Sequence, residues 1–317
     1  SALAHLAVEA AGHLPCPMPA TWDPERLSAG IEAAGLVAVL TEGRRGDRRP
    51  AEELTHLAMR HFGLRYLAAF GPGVPDGVIS LDAVALERGI VEPVASLGLV
   101  TFDGGDPHRP VYRPAAALAA AVAAHLDALS LSPDERILTL LPAHDLRGLV
   151  TGLGAALAAG AGLETVIPFD GAGFRAALLR PVPTRLVVPA PIEPALTALP
   201  LPWTVRALNV VHRAPTPLRA TAGSAAPQRL DSLVFGEDAV LTRPGLHDLA
   251  ATLAYPDRAP LPRTLLAVAR GADGALTYRG PACATAPLPR GDLPAVEARI
   301  WRASGCRPLL SDGMAAS

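Results

Sequence analysis

The chain has no lysine: across 317 residues, all 28 basic side chains are arginine. A Walker phosphate loop is therefore excluded, as is any step that needs a compact ammonium at a reacting phosphate, a role the planar guanidinium does not take over. Cysteine is scarce too. Cys16, Cys283 and Cys306 lie far apart with no Cys-x-x-Cys spacing, which excludes a disulfide scaffold and a cysteine zinc site and points to reduced thiols in the cytoplasm. No uninterrupted apolar run reaches about 18 residues, so no membrane-spanning helix is expected. The nine histidines show no His-x-x-x-His or Cys/His clustering, and no Gly-x-Ser-x-Gly elbow occurs. A formal net charge of -2 gives no polyanion-binding signature, so nucleic acid is not an expected partner. The Ala-rich start is broken by His5, Glu9 and His13, unlike a secretory signal, although the numbering can begin inside a longer product.

What is present is apolar and alternating. Hydrophobic residues make up 50% of the chain, enough for one large core or two. The enrichment in Ala, Arg, Gly and Pro is the pattern of a GC-rich genome. Helical patches at Ala2–Ala11, Pro24–Ala34, Ala51–Phe62 and Pro114–Leu129 interleave with short apolar runs at Leu36–Leu40, Arg65–Phe70, Leu97–Phe102 and Ile137–Leu141. In the fourth helix Leu118, Val122, Leu126 and Leu129 recur at three- and four-residue steps, with Pro114 suited to the first turn. The alternation predicts an α/β fold of mostly parallel sheets covered by helices. After about Leu201 prolines multiply and β-like runs (Val205–Val211, Leu233–Phe235, Leu265–Ala269, Ala275–Tyr278) take over. The expected division is residues 1–200 as α/β lobes and 201–317 as a smaller, β-richer lobe and tail, with the boundary near Pro200–Pro202.

The segment Leu131–Asp170 reads as one strand, polar turn, small-residue helix and second strand: Ile137–Leu141, Pro142–Arg147, Arg147–Ala159 and Leu163–Ile167. Gly148, Gly152 and Gly154 fall inside the helix, not in a strand-to-helix turn, so they permit close packing and are no dinucleotide fingerprint. The wording of this segment resembles the middle of the adenylate-forming ANL superfamily of acyl-CoA synthetases and peptide-synthetase adenylation domains. Leu3–Pro17 with Trp22–Leu40 is similar to an earlier run of that family, PTRLVVPAPIEPAL to a later one, and DGALTYRGP to its "dGel.vrGp" string. The resemblance implies an ANL-type N-terminal domain. It ends near that last string, so the family's mobile C-terminal domain and first helices are expected to be missing.

The resemblance also assigns candidate sites. The phosphate loop would follow the strand Leu97–Phe102, where Thr101, Asp103, Gly104, Gly105 and Arg109 stand. Asp103 and Asp106 put negative charge where polyphosphate would lie, so the alternative reading is an Asp-Gly-Gly turn. At the next turn Asp145 stands at the usual acyl-pocket His position, with His144 one residue early. The two can pair as a base and its orienting carboxylate, or Asp145 can cap the helix. Glu237 sits where the family's Mg²⁺-holding Glu would be, in a compressed motif without its threonine; the alternative is a strand-end carboxylate. Arg290-Gly291-Asp292 is the nearest candidate for a ribose contact. Arg44–Arg49 reads as a basic surface loop balanced by nearby acids.

Together these features predict a catalytically impaired relative, a pseudoenzyme serving as an acyl- or nucleotide-binding or assembly subunit. An active carboxylate-activating ligase completed by a partner chain, with Arg109 or Arg113 near the phosphates, is the second reading; a structural dimerisation module is the third. No cofactor is required by the first reading. ATP or AMP with Mg²⁺, or acyl-CoA, are the ligands the resemblance implies. The expected partners are a second copy, an active ligase or an acyl carrier protein.

Overall fold

In a computed structural model of the chain, the described residues are 2–84, 94–197, 199–218, 226, 228–255, 265–289 and 291–307. Arg290 and the tail from 308 onward lie outside them. The chain divides into two compact units, Ser1–Tyr112 with Pro287–Pro294, and Arg113–Ala286 with Ala295–Ser317.

The first unit opens with helices α1 (Ala2–Ala10) and α2 (Pro24–Ala34). Asp23 caps α2 by accepting the Arg26 N–H at 2.8 Å, Pro24 supplies a preset first turn, and Gly35 ends the helix in the left-handed region at φ 60°. Strand β1 (Ala38–Glu42), helix α3 (Pro50–Ala58), strand β2 (Tyr66–Phe70) and the two-residue β3 (Ile79–Ser80) build a parallel sheet in the order β1-β2-β3. Ile31, Leu54 and Leu57 bury the helices against it, with Leu27 and Val39. A short helix α4 (Leu81–Val84) follows, then strands β4 (Leu99–Phe102) and β5 (Pro110–Arg113).

The second unit carries the larger core. Helix α5 (Ala115–Ala128) leads into β6 (Arg136–Thr139), where the Thr139 hydroxyl takes the Leu141 N–H at 3.0 Å as the strand ends. A continuous helical run follows: α6 (Leu146–Gly148), a π-helical stretch (Leu149–Gly154) and α7 (Ala155–Ala159). Then come β7 (Gly162–Thr165), α8 (Gly171–Leu178), β8 (Thr184–Pro189), α9 (Glu193–Thr197), β9 (Val205–Arg213), β10 (Gln228–Phe235), β11 (Ala239–Arg243) and α10 (Leu246–Ala254). Strands β12 (Ala267–Arg270), β13 (Leu276–Arg279), β14 (Ala286–Pro287) and β15 (Arg302–Ala303) complete the chain.

Six strands form one sheet in the order β11-β10-β9-β8-β6-β7, parallel except for the β10–β11 hairpin. Side chains alternate across it. Ile137 and Val187 face one cluster with Val122, Val150 and Leu249, while Leu138, Leu186 and Val188 face another with Phe174 and Leu178. Each such fully buried aliphatic side chain contributes about 1.5–3 kcal/mol. Two glycines of the helical run are required by this packing. A Cβ on Gly148 would lie 2.0 Å from the Pro142 carbonyl oxygen, and one on Gly154 2.5 Å from Val122 Cγ2. Smaller sheets take the order β12-β13-β15 and β14-β5-β4.

The Pro200–Pro202 segment, where the composition changes, joins β8 to β9, and these strands pair side by side in one sheet. The leucine spacing of α5 faces the core: Val122 and Leu129 are buried, and Leu118 and Leu126 pack against the same cluster as Val122. Ala117, Ala120, Ala121, Val122 and His125 are buried, because neighbours on more than one side (β11, α7 and the π-helical stretch) demand small residues at close approach.

His125 is fully buried, with Nδ1 bonded to Thr242 Oγ1 at 2.8 Å; Thr242 meets Ser232 at 2.9 Å, and Ser232 donates to Asn209 Oδ1 at 2.9 Å. Burial pushes this imidazole down from 6.5 to about 4. Below pH 6.5 the unfolded chain takes up a proton that the fold refuses, so stability falls as pH drops from 6.5 towards 4. The loss tends towards ~3 kcal/mol for this residue. In pH-dependent urea unfolding, His125→Gln is expected to flatten that limb relative to the parent; an unchanged slope refutes the assignment.

Candidate functional site

In the six-stranded sheet the chain steps from β6 outward to β7, then back across β6 to β8, β9 and β10. The carboxyl ends of β6 and β8 therefore diverge at a topological switch point, the place where open α/β sheets accept ligands. Three candidates from the sequence stand at carboxyl ends of this sheet: His144 and Asp145 beyond β6, and Glu237 beyond β10.

The structure brings the two turns together, and for a structural purpose. Asp145 caps α6: one carboxylate oxygen accepts the Gly148 N–H at 3.2 Å and the other pairs with the Arg147 guanidinium. Glu237 is 2% exposed, and its Oε2 accepts the Leu146 N–H at 2.8 Å. Two carboxylates thus saturate amides that the first helical turn cannot pair internally, and their charge suits the positive end of the helix. The capping reading of Asp145 holds. Among the described residues Asp145 bonds to the Gly148 amide and the Arg147 guanidinium and not to His144. Burial pushes the half-buried His144 imidazole down, opposed by Asp145 and reinforced by Arg147 and Arg213.

The Glu237 turn is held from behind as well. Gly236, at φ 53°, lets β10 reverse into β11, with Asp238 N–H bonded to Phe235 O at 3.0 Å. Arg113, 1% exposed, donates to the carbonyls of Glu237 at 2.6 Å, Asp238 at 2.7 Å and Ala282 at 2.8 Å. The Asp238 carboxylate accepts the Tyr278 hydroxyl at 2.6 Å and the Thr285 hydroxyl at 2.5 Å. Burial, with Asp238 beside it, drives the Tyr278 phenol far above its ordinary range, and burial pushes the Cys283 thiol up to about 11 and Cys16 to about 12. These thiols stay protonated at neutral pH. Sequence reading missed Asp238, Tyr278 and Thr285, which are far apart in the chain and belong to no shared motif.

A second polar network lies on the sheet. His212 Nε2 meets Asp231 Oδ1 at 2.7 Å, Arg229 donates to Asp231 at 2.8 and 2.9 Å, and Arg229 also pairs with Glu193. Burial alone would raise Asp231, but the hydrogen bonds from His212 and Arg229 hold its carboxyl below the usual range.

In the first unit, the Thr101–Pro110 segment is a self-closed turn. Thr101 is buried within β4, and Asp103 pairs with Arg109 at 2.5 Å. The amides of Asp103, Asp106 and Arg109 each bond to a carbonyl of the same loop at 3.0 Å, and that of His108 to the Asp106 carboxylate at 3.0 Å. Gly104 and Gly105 take positive φ, and the Gly105 carbonyl accepts from Arg26 at 2.6 Å. A phosphate cradle needs converging free amides; this loop spends these four on itself. Three of the four arginines of the run Arg44–Arg49 are likewise paired, Arg45 with Glu42, Arg48 with Glu53 and Arg49 with Glu52, while Arg44 donates to the Gly46 carbonyl at 2.9 Å.

Glu237 faces a backbone amide, Arg109 and Arg113 are committed to Asp103 and to carbonyls, and the described residues contain no cluster of three His, Cys, Asp or Glu that could hold a metal. Among them no helix is long and apolar enough to cross a membrane.

No family model and no curated protein matches the chain. Solved structures do. The amide bond synthetase McbA from Marinactinospora thermotolerans is 19% identical at a TM-score of 0.64, over 89% of this chain and 59% of that one. A long-chain-fatty-acid CoA ligase from Rhodopseudomonas palustris is 16% identical at 0.66, over 89% and 74%. O-succinylbenzoate coenzyme A synthetase from Bacillus subtilis, in complex with ATP and magnesium ion, is 12% identical at 0.62, over 93% and 82%. The chain thus spans about three fifths of the amide bond synthetase's length, and the likeness establishes the fold.

If Glu237 serves the helix, Glu237→Gln keeps an acceptor for the Leu146 amide and preserves stability to within about 1 kcal/mol, whereas Glu237→Ala strands that amide and costs about 1–3 kcal/mol. Equilibrium denaturation of the two variants decides; equal losses refute the anchoring role.

Proposed function

We propose that this chain, which has the fold of the adenylate-forming ligases, is a catalytically silent relative that serves as an assembly subunit. One observation carries the reading: at the position that resembles a metal-holding Glu, Glu237 is buried against the Leu146 amide, and its turn is tied to Arg113 through backbone carbonyls. A carboxylate so placed has exchanged a ligand for a helix terminus. The phosphate-loop counterpart supports the same reading, since its acid, its arginine and four of its amides bond to one another. The lack of lysine in these 317 residues supports the same reading. Acyl-activation by a partner-completed ligase would need arginine to stabilise the phosphates, and Arg109 and Arg113 are both engaged elsewhere.

ATP–pyrophosphate exchange with a panel of carboxylic acids is expected to show no turnover above buffer, and ATP with Mg²⁺, AMP and acyl-CoA are expected to leave the melting temperature unchanged. A ligand bound only by the native state must raise it. Robust exchange by the chain alone overturns the silent reading.

A further inference from the structure

We propose that the amino end of the β1–β2 sheet is a protein-docking surface for an acidic, apolar-striped helix of another protein. Four large apolar side chains stand out there: Met59 is 70% exposed, Phe62 96%, Tyr66 60% and Val37 59%. Single exposed apolar residues are ordinary, but a group gathered at one end of one sheet is not. The group is held in a fixed backbone. The Arg60 N–H bonds to Leu57 O at 2.9 Å and the Leu64 N–H to His61 O at 2.9 Å, while Arg65 and Tyr66 both donate to Val37 O, at 2.8 and 3.2 Å. His61 Nε2 meets Ser28 Oγ at 2.7 Å, pinning the loop to α2.

Charge identifies the occupant. The arginines of the loop beyond the carboxyl end of β1, Arg45, Arg48 and Arg49, each have a carboxylate, and so does Arg109. Arg60 and Arg65 are exposed and have no ion pair among the described residues, and no acid occurs from Leu54 to Phe70. Two uncompensated guanidiniums thus flank Met59, Phe62 and Tyr66, and Met, aromatics and Arg are the residue types enriched in protein interfaces. A membrane surface holds a protein through clusters of about four to eight basic residues; this patch offers two. Ligand clefts of parallel sheets open at the carboxyl ends of the strands. The patch lies at the amino ends, apart from any such cleft in its own sheet.

This inference rests on the assembly reading and fails separately from it, because peptide binding and ATP exchange are independent measurements. The probe is a fluorescent helical peptide with leucines on one stripe and glutamates on both flanks, compared by anisotropy with a twin carrying lysines. The glutamate peptide is expected to bind the full chain and the lysine twin not to. Phe62→Ala, and Arg60→Glu with Arg65→Glu, are each expected to weaken binding by about tenfold or more. The double charge reversal should also recruit the lysine twin. Melting temperatures should stay constant, since these side chains are exposed. Equal binding of both peptides, no binding of either, a dimer in sedimentation that Phe62→Ala dissociates, or capture by phosphatidylserine vesicles in place of the peptide overturns the proposal.

Discussion

The three carbonyls gathered by the buried Arg113 guanidinium are the constraint on which the candidate site depends. Arg113 ends β5, Glu237 and Asp238 form the β10–β11 turn, and Ala282 lies in the short turn after β13. One planar fork thus fixes segments more than a hundred residues apart. A charge-assisted hydrogen bond is worth about 1.5–3 kcal/mol, and a charge taken from water needs several of them. Burial pulls the Arg113 pKa down, against the pull of Glu237 and Asp238. The guanidinium remains charged, so the carbonyls and nearby carboxylates must stay in place around it.

That constraint explains why the turn after β10 is a structural junction. With its backbone clamped, Glu237 aims its carboxylate at the Leu146 amide, and Asp238 receives two hydroxyls. Asp145 closes the same helix terminus from its own side. Acids that could have met a cation or substrate are spent on the protein's own donors. The same pattern holds within the first unit, where Asp103 and Arg109 neutralise each other. Low dielectric makes the buried pairs expensive to break, whereas the exposed Asp103–Arg109 pair is weak.

Much of the fold was legible because local signals were complete. The Asp23-Pro24 start and the Gly35 stop give α2 its boundaries without tertiary help. The apolar runs gave β2, β6 and β9 to within a few residues, since a parallel strand buried on both faces needs an unbroken apolar stretch. At Pro200–Pro202 the proline-rich composition marks a connection, and only strand pairing shows that it joins neighbours in one sheet. In α5 the leucine spacing gave the core-facing positions but not the buried alanines, which are silent in a periodicity count yet let neighbours approach on several sides.

By itself the sequence determined the alternation of strands and helices, the close-packing glycines of the Leu146–Ala159 run, and the absence of lysine from these 317 residues. Those properties live in single residues and short windows. The tertiary structure decided what the polar residues do: Asp145 caps a helix, Glu237 fills a distant helix terminus, and Arg113 gathers carbonyls. It also separated Arg60 and Arg65, which have no ion pair among the described residues, from the paired arginines of the loop after β1. A side chain's type fixes which bonds it can make, but its partner is set by which remote segments the sheet brings within about 3 Å.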